Sequence, residues 1–325
     1  MPNSLNRRRF VRGTAALAAS VTLSRKVSAQ VTDARPPTVD STNVKEIADG
    51  VFVIGDKRVW LVPNIGIVLG SDTALVIDTG LGPANGEAVL DVARRLADSR
   101  RLLLTMTHFH PEHGFGAQVF GPDATILYNR AQRDELIEKG ELYLRLFRQT
   151  QGAAAVAALD GTKIAMPHVI YNGGSTEVDL GGRKVEFRTW GAAHTRGDQT
   201  IFLPRERILF AGDLIEERMF PIFPYFPPAD TDVDGVRWVN VLNDFQRLTP
   251  KIIVPGHGDL GDISIAQNLA SHIEDVGRKV RALRGAGKSA DEILTSYKPE
   301  VVKAYQGWDH PNLLDLEIRY FADQA

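Results

Sequence analysis

Beyond residue 50 the chain alternates between short apolar runs bounded by turn residues and longer stretches with apolar side chains at helical spacing. Residues 51–54 and 59–62 are rich in β-branched and aromatic side chains and flank Gly55-Asp56, which predicts two strands. Residues 65–69 and 73–77 flank Gly70-Ser71-Asp72 and read as a hairpin. Gly82-Pro83 then opens a helix to about residue 97, with Ala88, Val89, Val92 and Leu96 on one face. The continuous apolar run 102–106 predicts a buried strand, and residues 130–158 predict helix. A second hairpin is expected where 178–180 and 184–190 flank Gly181-Gly182, followed by strands at 200–203 and 208–210, a helix over 233–248, a strand at 252–254 and mostly helix over 262–325. Two half-chains, each strand-rich first and helical afterwards, predict a layered α/β protein with helices covering the sheets.

Composition narrows the chemistry. The chain has 325 residues, 43% hydrophobic and 24% charged, and no cysteine. Thiolate metal sites, disulfide frameworks and cysteine nucleophiles are thereby excluded. The longest nearly uncharged apolar stretch, residues 13–23, falls short of the roughly 20 residues that span a bilayer, so no stable membrane insertion is expected. The net charge of −2 conceals an asymmetry: residues 1–29 carry Arg7, Arg8, Arg9, Arg12, Arg25 and Lys26 and no acid, leaving −8 for residues 30–325. A body this acidic is not built to bind the phosphate backbone of a nucleic acid.

The basic start reads as an address. Asn6-Arg7-Arg8-Arg9-Phe10-Val11-Arg12 resembles the twin-arginine export signal, and the weakly apolar run 13–23 and Val27-Ser28-Ala29 complete the pattern. Cleavage after Ala29, engagement of the twin-arginine export machinery and a periplasmic or otherwise exported location are expected. Residues 30–44, with Pro36-Pro37 and few large apolar side chains, read as a linker.

Of the eight histidines, three fall within six residues, in Thr107-His108-Phe109-His110-Pro111-Glu112-His113-Gly114, directly after the 102–106 strand. In extended chain His108 and His110 point to one side, and Glu112 and His113 can turn toward an adjacent point. Neutral imidazole and carboxylate suit zinc and similar divalent cations.

Here the chain resembles the metallo-β-lactamase superfamily, whose pattern H-x-H-x-D-H is followed by a lone His, a lone Asp and a final His, each at a strand end. The later members are His194 in Gly191-Ala192-Ala193-His194, Asp213 in Phe210-Ala211-Gly212-Asp213 and His257 in Val254-Pro255-Gly256-His257; Asp78 in Val76-Ile77-Asp78-Thr79-Gly80 matches the first motif. The resemblance implies a four-layered αββα sandwich over residues 45–260, with residues 261–325 an added helical segment packed on it. It also implies two divalent metal ions, most simply Zn2+: His108, His110 and His194 at the first, Glu112, His113 and His257 at the second, Asp213 bridging, and Asp78 orienting a ligand histidine. Glu112 departs from the pattern, standing where the family has Asp. Its longer side chain leaves three outcomes open: ligation, a free proton shuttle, or a weak second site. Ligation is favoured, because His113, Asp213 and His257 remain to hold that metal.

Bound zinc brings the pKa of water down to about 7, so the implied chemistry is hydrolysis by a metal-generated hydroxide. A bridging Asp resembles the glyoxalase II, lactonase, sulfatase and phosphodiesterase branches, whereas β-lactamases tend to carry Cys or Ser there. The expected function is therefore exported hydrolysis of an ester, thioester, lactone or related bond of a small molecule. The alternatives are a metal-binding accessory protein of a periplasmic redox or sulfur pathway and, behind it, a β-lactamase. In the aromatic and proline-rich stretch 220–226, Tyr225 is a candidate hydrogen-bond donor in the substrate pocket, against the plainer reading of a loop packed on the core. Residues 130–165 are expected to form a helical flap beside the site. Arg196 and Asp198 either tune His194 or cap its turn, while His168, His272 and His310 read as ordinary histidines.

Overall fold

The computed structural model describes residues 35–325; the expected export signal and cleavage site lie outside the described residues. The strands are β1 (Val44–Ala48), β2 (Val51–Ile54), β3 (Ile65–Leu69), β4 (Thr73–Ile77), β5 (Arg101–Thr105), β6 (Ala124–Asn129), β7 (Val169–Tyr171), β8 (Ser175–Asp179), β9 (Lys184–Thr189), β10 (Gln199–Leu203), β11 (Ile208–Glu216) and β12 (Ile252–His257). The helices are α1 (Gly82–Ala97), α2 (Pro111–Gly114), α3 (Arg130–Thr150), α4 (Ala153–Ala158), α5 (Gly235–Asp244), α6 (Ile263–Gly285), α7 (Ala290–Ala304) and α8 (Leu314–Asp323). One sheet has the order β1-β2-β3-β4-β5-β6-β7 and the other β12-β11-β10-β9-β8.

Strand alternation sorts the side chains into layers. In β4, Leu75 and Ile77 face the second sheet, where they share a buried cluster with Phe187, Ile201, Leu203, Ile208 and Phe210. Ala74 and Val76 face the other way, onto Val89 and Ala93 of α1. In β11, Leu209 and Ala211 pack outward against a cluster that includes Trp238 of α5, Ile273 of α6 and Phe321 of α8. The result is helix, sheet, sheet, helix, the expected sandwich, with the C-terminal helices joined to its second helical layer. Because both faces of the central strands are covered, they read as unbroken apolar runs. No helix among the described residues is long and apolar enough to cross a membrane.

Several details differ from the sequence expectation. Residues 59–62 are a loop, not a strand: Lys57, Arg58 and Leu61 all adopt left-handed backbone conformations, which a β-ladder cannot accommodate. The β-branched composition there serves packing instead, with Leu61 and Val62 buried. Strands β1, β6 and β7 went unpredicted; β6 carries only the short apolar run Ile126–Tyr128 before the Asn129 cap of α3. The stretch read as a linker is partly docked: Val39 is buried and its N–H donates to Asn85 of α1 at 2.8 Å.

Parallel pairs β4/β5 and β11/β12 place the ends of four strands at one edge of the sandwich. Asp78 follows β4, His108 to His113 follow β5, Asp213 lies within β11 and His257 ends β12. Open sheets present their ligand-binding groups at such carboxyl ends.

Candidate metal centre

The seven residues picked out by the sequence pattern converge. His108, His110, His194 and Asp213 form one group and Glu112, His113, Asp213 and His257 another, the donor atoms within each group lying within 4.8 Å of one another. All seven are at most 4% exposed. Asp213 divides itself between the groups: its Oδ2 is 3.8 Å from His108 Nε2 and 3.9 Å from His194 Nε2. Its Oδ1 is 3.1 Å from His113 Nε2 and 3.7 Å from His257 Nε2.

The strands make this approach possible by omitting side chains. A Cβ on Gly256 would sit 1.9 Å from Asp213 Oδ1, and one on Gly212, which adopts φ +55°, would sit 2.5 Å from Thr107. Glycine is required at both positions for β11 and β12 to carry Asp213 into the space between the histidines.

Ring orientation is fixed from behind. His194 Nδ1 donates to Ile222 O at 2.9 Å and His257 Nδ1 to Val62 O at 3.1 Å. His113 Nδ1 donates to Asp78 Oδ2 at 2.9 Å. Asp78 also accepts from the Thr107 hydroxyl at 2.9 Å, so that hydroxyl oxygen is left to accept from His108 Nδ1 at 3.2 Å. Four imidazoles therefore turn Nε2 inward as an acceptor. His110 presents Nδ1, 3.0 Å from His194 Nε2. The Nε2 atoms of His108, His113 and His257, one oxygen of Glu112 and both oxygens of Asp213 are buried without a hydrogen-bond partner. Buried polar atoms are rarely left this way, and a set of neutral nitrogens and carboxylate oxygens converging on two points fits divalent cations. Two His/Asp groups that could hold metal ions are thus present.

Burial drives His108 and His110 well below the ordinary histidine range and His194 down to about 4. Around the second group carboxylates counter that tendency: burial opposes protonation of His113, but Asp213 and Asp78 outweigh it and raise its pKa. Burial pushes Glu112 up to about 7, against the pull of His113.

Glu112 lies in the second group, which is where the ligation alternative needs it. Asp198 accepts from the His194 N–H at 2.7 Å and caps its turn, while Arg196 pairs with Glu138 and Asp232. The predicted flap is real in position: α3 packs beside the site, with the Tyr143 ring stacked on His110. Tyr225 is 9% exposed; its ring packs against Tyr320 and its hydroxyl meets the exposed carboxylate of Asp323 in α8 at 3.1 Å, the partner that a substrate would have to replace. His272 is a satisfied core histidine, 3.0 Å from Glu317. Sequence reasoning missed Asp56, read only as a turn residue: its carboxylate accepts from Gly258 N at 2.8 Å and so holds the loop after His257. It also missed Glu135, a mid-helix acid with no local signal.

A narrow cleft beside His257 is lined by Asp56, Arg58, Trp60, Met219, Asp309 and His310. Arg58 does not make it cationic, because its guanidinium is engaged by Glu217, by Asp259 at 3.1 Å and by Asp309 at 2.8 Å.

Fold and site together define an αββα sandwich with two adjoining donor groups that could hold metal ions. The family model described as the metallo-beta-lactamase superfamily matches residues 58–257, and the chain belongs to that superfamily. Its relatives include a metallo-beta-lactamase type 2 of Bacteroides fragilis, 24% identical over 70% of this chain and 84% of that protein. Another is the acyl-coenzyme A thioesterase MBLAC2 of Bos taurus, 25% identical over 66% of this chain and 80% of that protein. Among solved structures, the DIM-1 metallo-beta-lactamase aligns at TM-score 0.56 and 18% identity, covering 73% of this chain and 97% of its own. The sec-alkylsulfatase Pisa1 from Pseudomonas sp. aligns at TM-score 0.63 and 14% identity, covering 87% of this chain and 50% of its own. These likenesses show the fold.

Proposed function

We propose that the protein is an exported metal-dependent hydrolase that cleaves an ester, thioester, lactone or related bond of a small molecule. The observation that carries this reading is the pair of buried donor groups sharing Asp213, whose inward atoms have no other partner. On this reading His108, His110 and His194 hold one divalent ion, Glu112, His113 and His257 hold the other, and Asp213 serves both. Such ions, zinc in the simplest case, would supply a nucleophile at neutral pH and polarise the carbonyl or related oxygen beside the scissile bond. The chain's own residues do the rest. Asp78 and the carbonyls of Val62 and Ile222 keep the rings in one tautomer, and a second layer of this kind governs metal affinity. Burial raises the pKa of Glu112 to about 7 in the metal-free site, so to join the second group as a carboxylate it gives up its proton when a cation binds.

Trp60, Met219 and His310 line the narrow cleft beside His257, and the acids around Arg58 outnumber it, so no cationic surface there draws a polyanion. Residues 45–260 form the catalytic unit in this proposal and 261–325 complete its helical layer. Metal-loaded protein lacking residues 1–29 should turn over neutral esters, thioesters or lactones, and a chelator should abolish the activity. Two bound ions with no turnover across that panel, including a β-lactam, would favour the accessory-protein reading, which the near-complete burial of the donors also supports. Export is tested separately: Arg7→Lys with Arg8→Lys should leave precursor in the cytoplasm, and normal export would exclude the twin-arginine route.

A further inference from the structure

Helix α3 carries a chain of buried polar groups along one face, at positions 132, 135, 139 and 143, the three- and four-residue spacing that aligns side chains on a helix. At its start Gln132 donates to Met106 O at 2.7 Å and Thr107 O at 3.0 Å, gripping the backbone that leads into His108. One turn on, the two oxygens of Glu135 accept from Arg196 N at 3.1 Å and Gly197 N at 2.8 Å, gripping the turn that follows His194. At the far end the Tyr143 ring stacks on His110, with centroids 4.9 Å apart and planes 24° apart, and its hydroxyl donates to Asp230 Oδ2 at 2.7 Å. Between them lies Lys139, 7% exposed. Its Nζ is 2.8 Å from Asp230, 2.7 Å from Asp232 and 3.4 Å from Glu135.

One ammonium thus joins the acid that holds the His194 turn to the acid that holds the ring stacked on His110. We propose that Lys139 is a positioning residue that sets the separation of His110 and His194, and with it the affinity of the first donor group for a divalent cation. It makes no such link to Glu112, His113 or His257. Without Lys139, Glu135 and Asp230 are buried carboxylates that have lost their shared counter-charge, and both adjust their surroundings to regain one. The two imidazoles then lose their common reference, while the second group keeps its own supports in Asp78 and Val62 O. This inference rests on the reading of the two groups as a metal centre.

The test is cobalt(II) titration of metal-free protein, followed by visible absorption. The equivalents are assigned with His110→Ala, which deletes a donor of the first group, and His257→Ala, which deletes one of the second. Lys139→Met should weaken the equivalent that is lost in His110→Ala by about 10-fold or more, the effect typical of outer-shell residues, and leave the other within about threefold. Tyr143→Phe keeps the stacked ring and loses its tie to Asp230; it and Asp230→Asn should show smaller losses confined to the same equivalent, and they carry the test if Lys139→Met does not fold. Unchanged affinity of that equivalent, or equal weakening of both, would overturn the inference alone. A wild-type protein that binds no cobalt would overturn the metal-centre reading and the inference with it.

Discussion

The two donor groups share a carboxylate and almost touch, with the rings of His108 and His113 4.2 Å apart, yet the fold holds them by different means. The first is a trio of imidazoles in which burial suppresses protonation, with His194 at about 4. Its supports are backbone atoms and the α3 network. The second is a charge-balanced cluster in which Asp78 and Asp213 raise the pKa of His113, and burial lifts Glu112 to about 7. Geometry prepares the first group for a cation; the second must also surrender protons. Two halves of one centre should therefore respond differently to the same perturbation.

The strongest way to break this comparison is to delete a donor. His110→Ala removes the inward Nδ1 of the first group, and turnover should fall by more than about 100-fold, beyond the range for outer-shell changes, with loss of one equivalent of metal. Retained metal and full turnover would remove His110 from the centre. The next test is pH. Lowering it from 8 to 6 brings protons into competition for Glu112 and His113, so second-group affinity should fall by about tenfold per unit for each proton displaced. First-group affinity should change little, because His194 stays unprotonated until about 4. Competition titrations at the two pH values decide this.

Glu112 also sharpens the contrast in the metal-free protein. Its folded pKa of about 7 lies above the ordinary glutamate value of 4.5, so the native state favours the proton and stability is lost as pH rises from about 4.5 to about 7. Glu112→Gln should therefore stabilise metal-free protein at pH 8 by about 3 kcal/mol and by almost nothing near pH 4.5. Denaturant unfolding at both pH values measures it, and a difference independent of pH would contradict the assigned burial. The smallest effect is expected from Tyr225→Phe, which removes a part-buried bond to Asp323: about 1 kcal/mol or less in stability, with turnover unchanged. A marked loss of turnover would return Tyr225 to the substrate pocket.

Legibility in the sequence followed the same division. Donors near strand ends were readable because glycine and a short apolar run mark each one, as in Ala211-Gly212-Asp213 and Pro255-Gly256-His257. The layered sandwich was readable from the order of strand and helix. Residues 59–62 misled because the left-handed conformations of Leu61 and of the preceding Lys57 and Arg58 are backbone choices that β-branched composition does not reveal. The partner of Tyr225 was not legible, because a hydroxyl is equally suited to a substrate or to Asp323, and which one it meets depends on a helix about 90 residues further on. Glu135, Lys139 and Asp230 look like solvated charges on a helix and a loop; only the fold buries them together.

The central claim is that two cations lie on either side of Asp213. Anomalous diffraction from zinc-loaded crystals tests it most directly. Two peaks are predicted, one enclosed by His108 Nε2, His110 Nδ1 and His194 Nε2, the other by Glu112, His113 Nε2 and His257 Nε2, each beside one oxygen of Asp213. No peak at either position, or zinc held only by residues outside these seven, would contradict it.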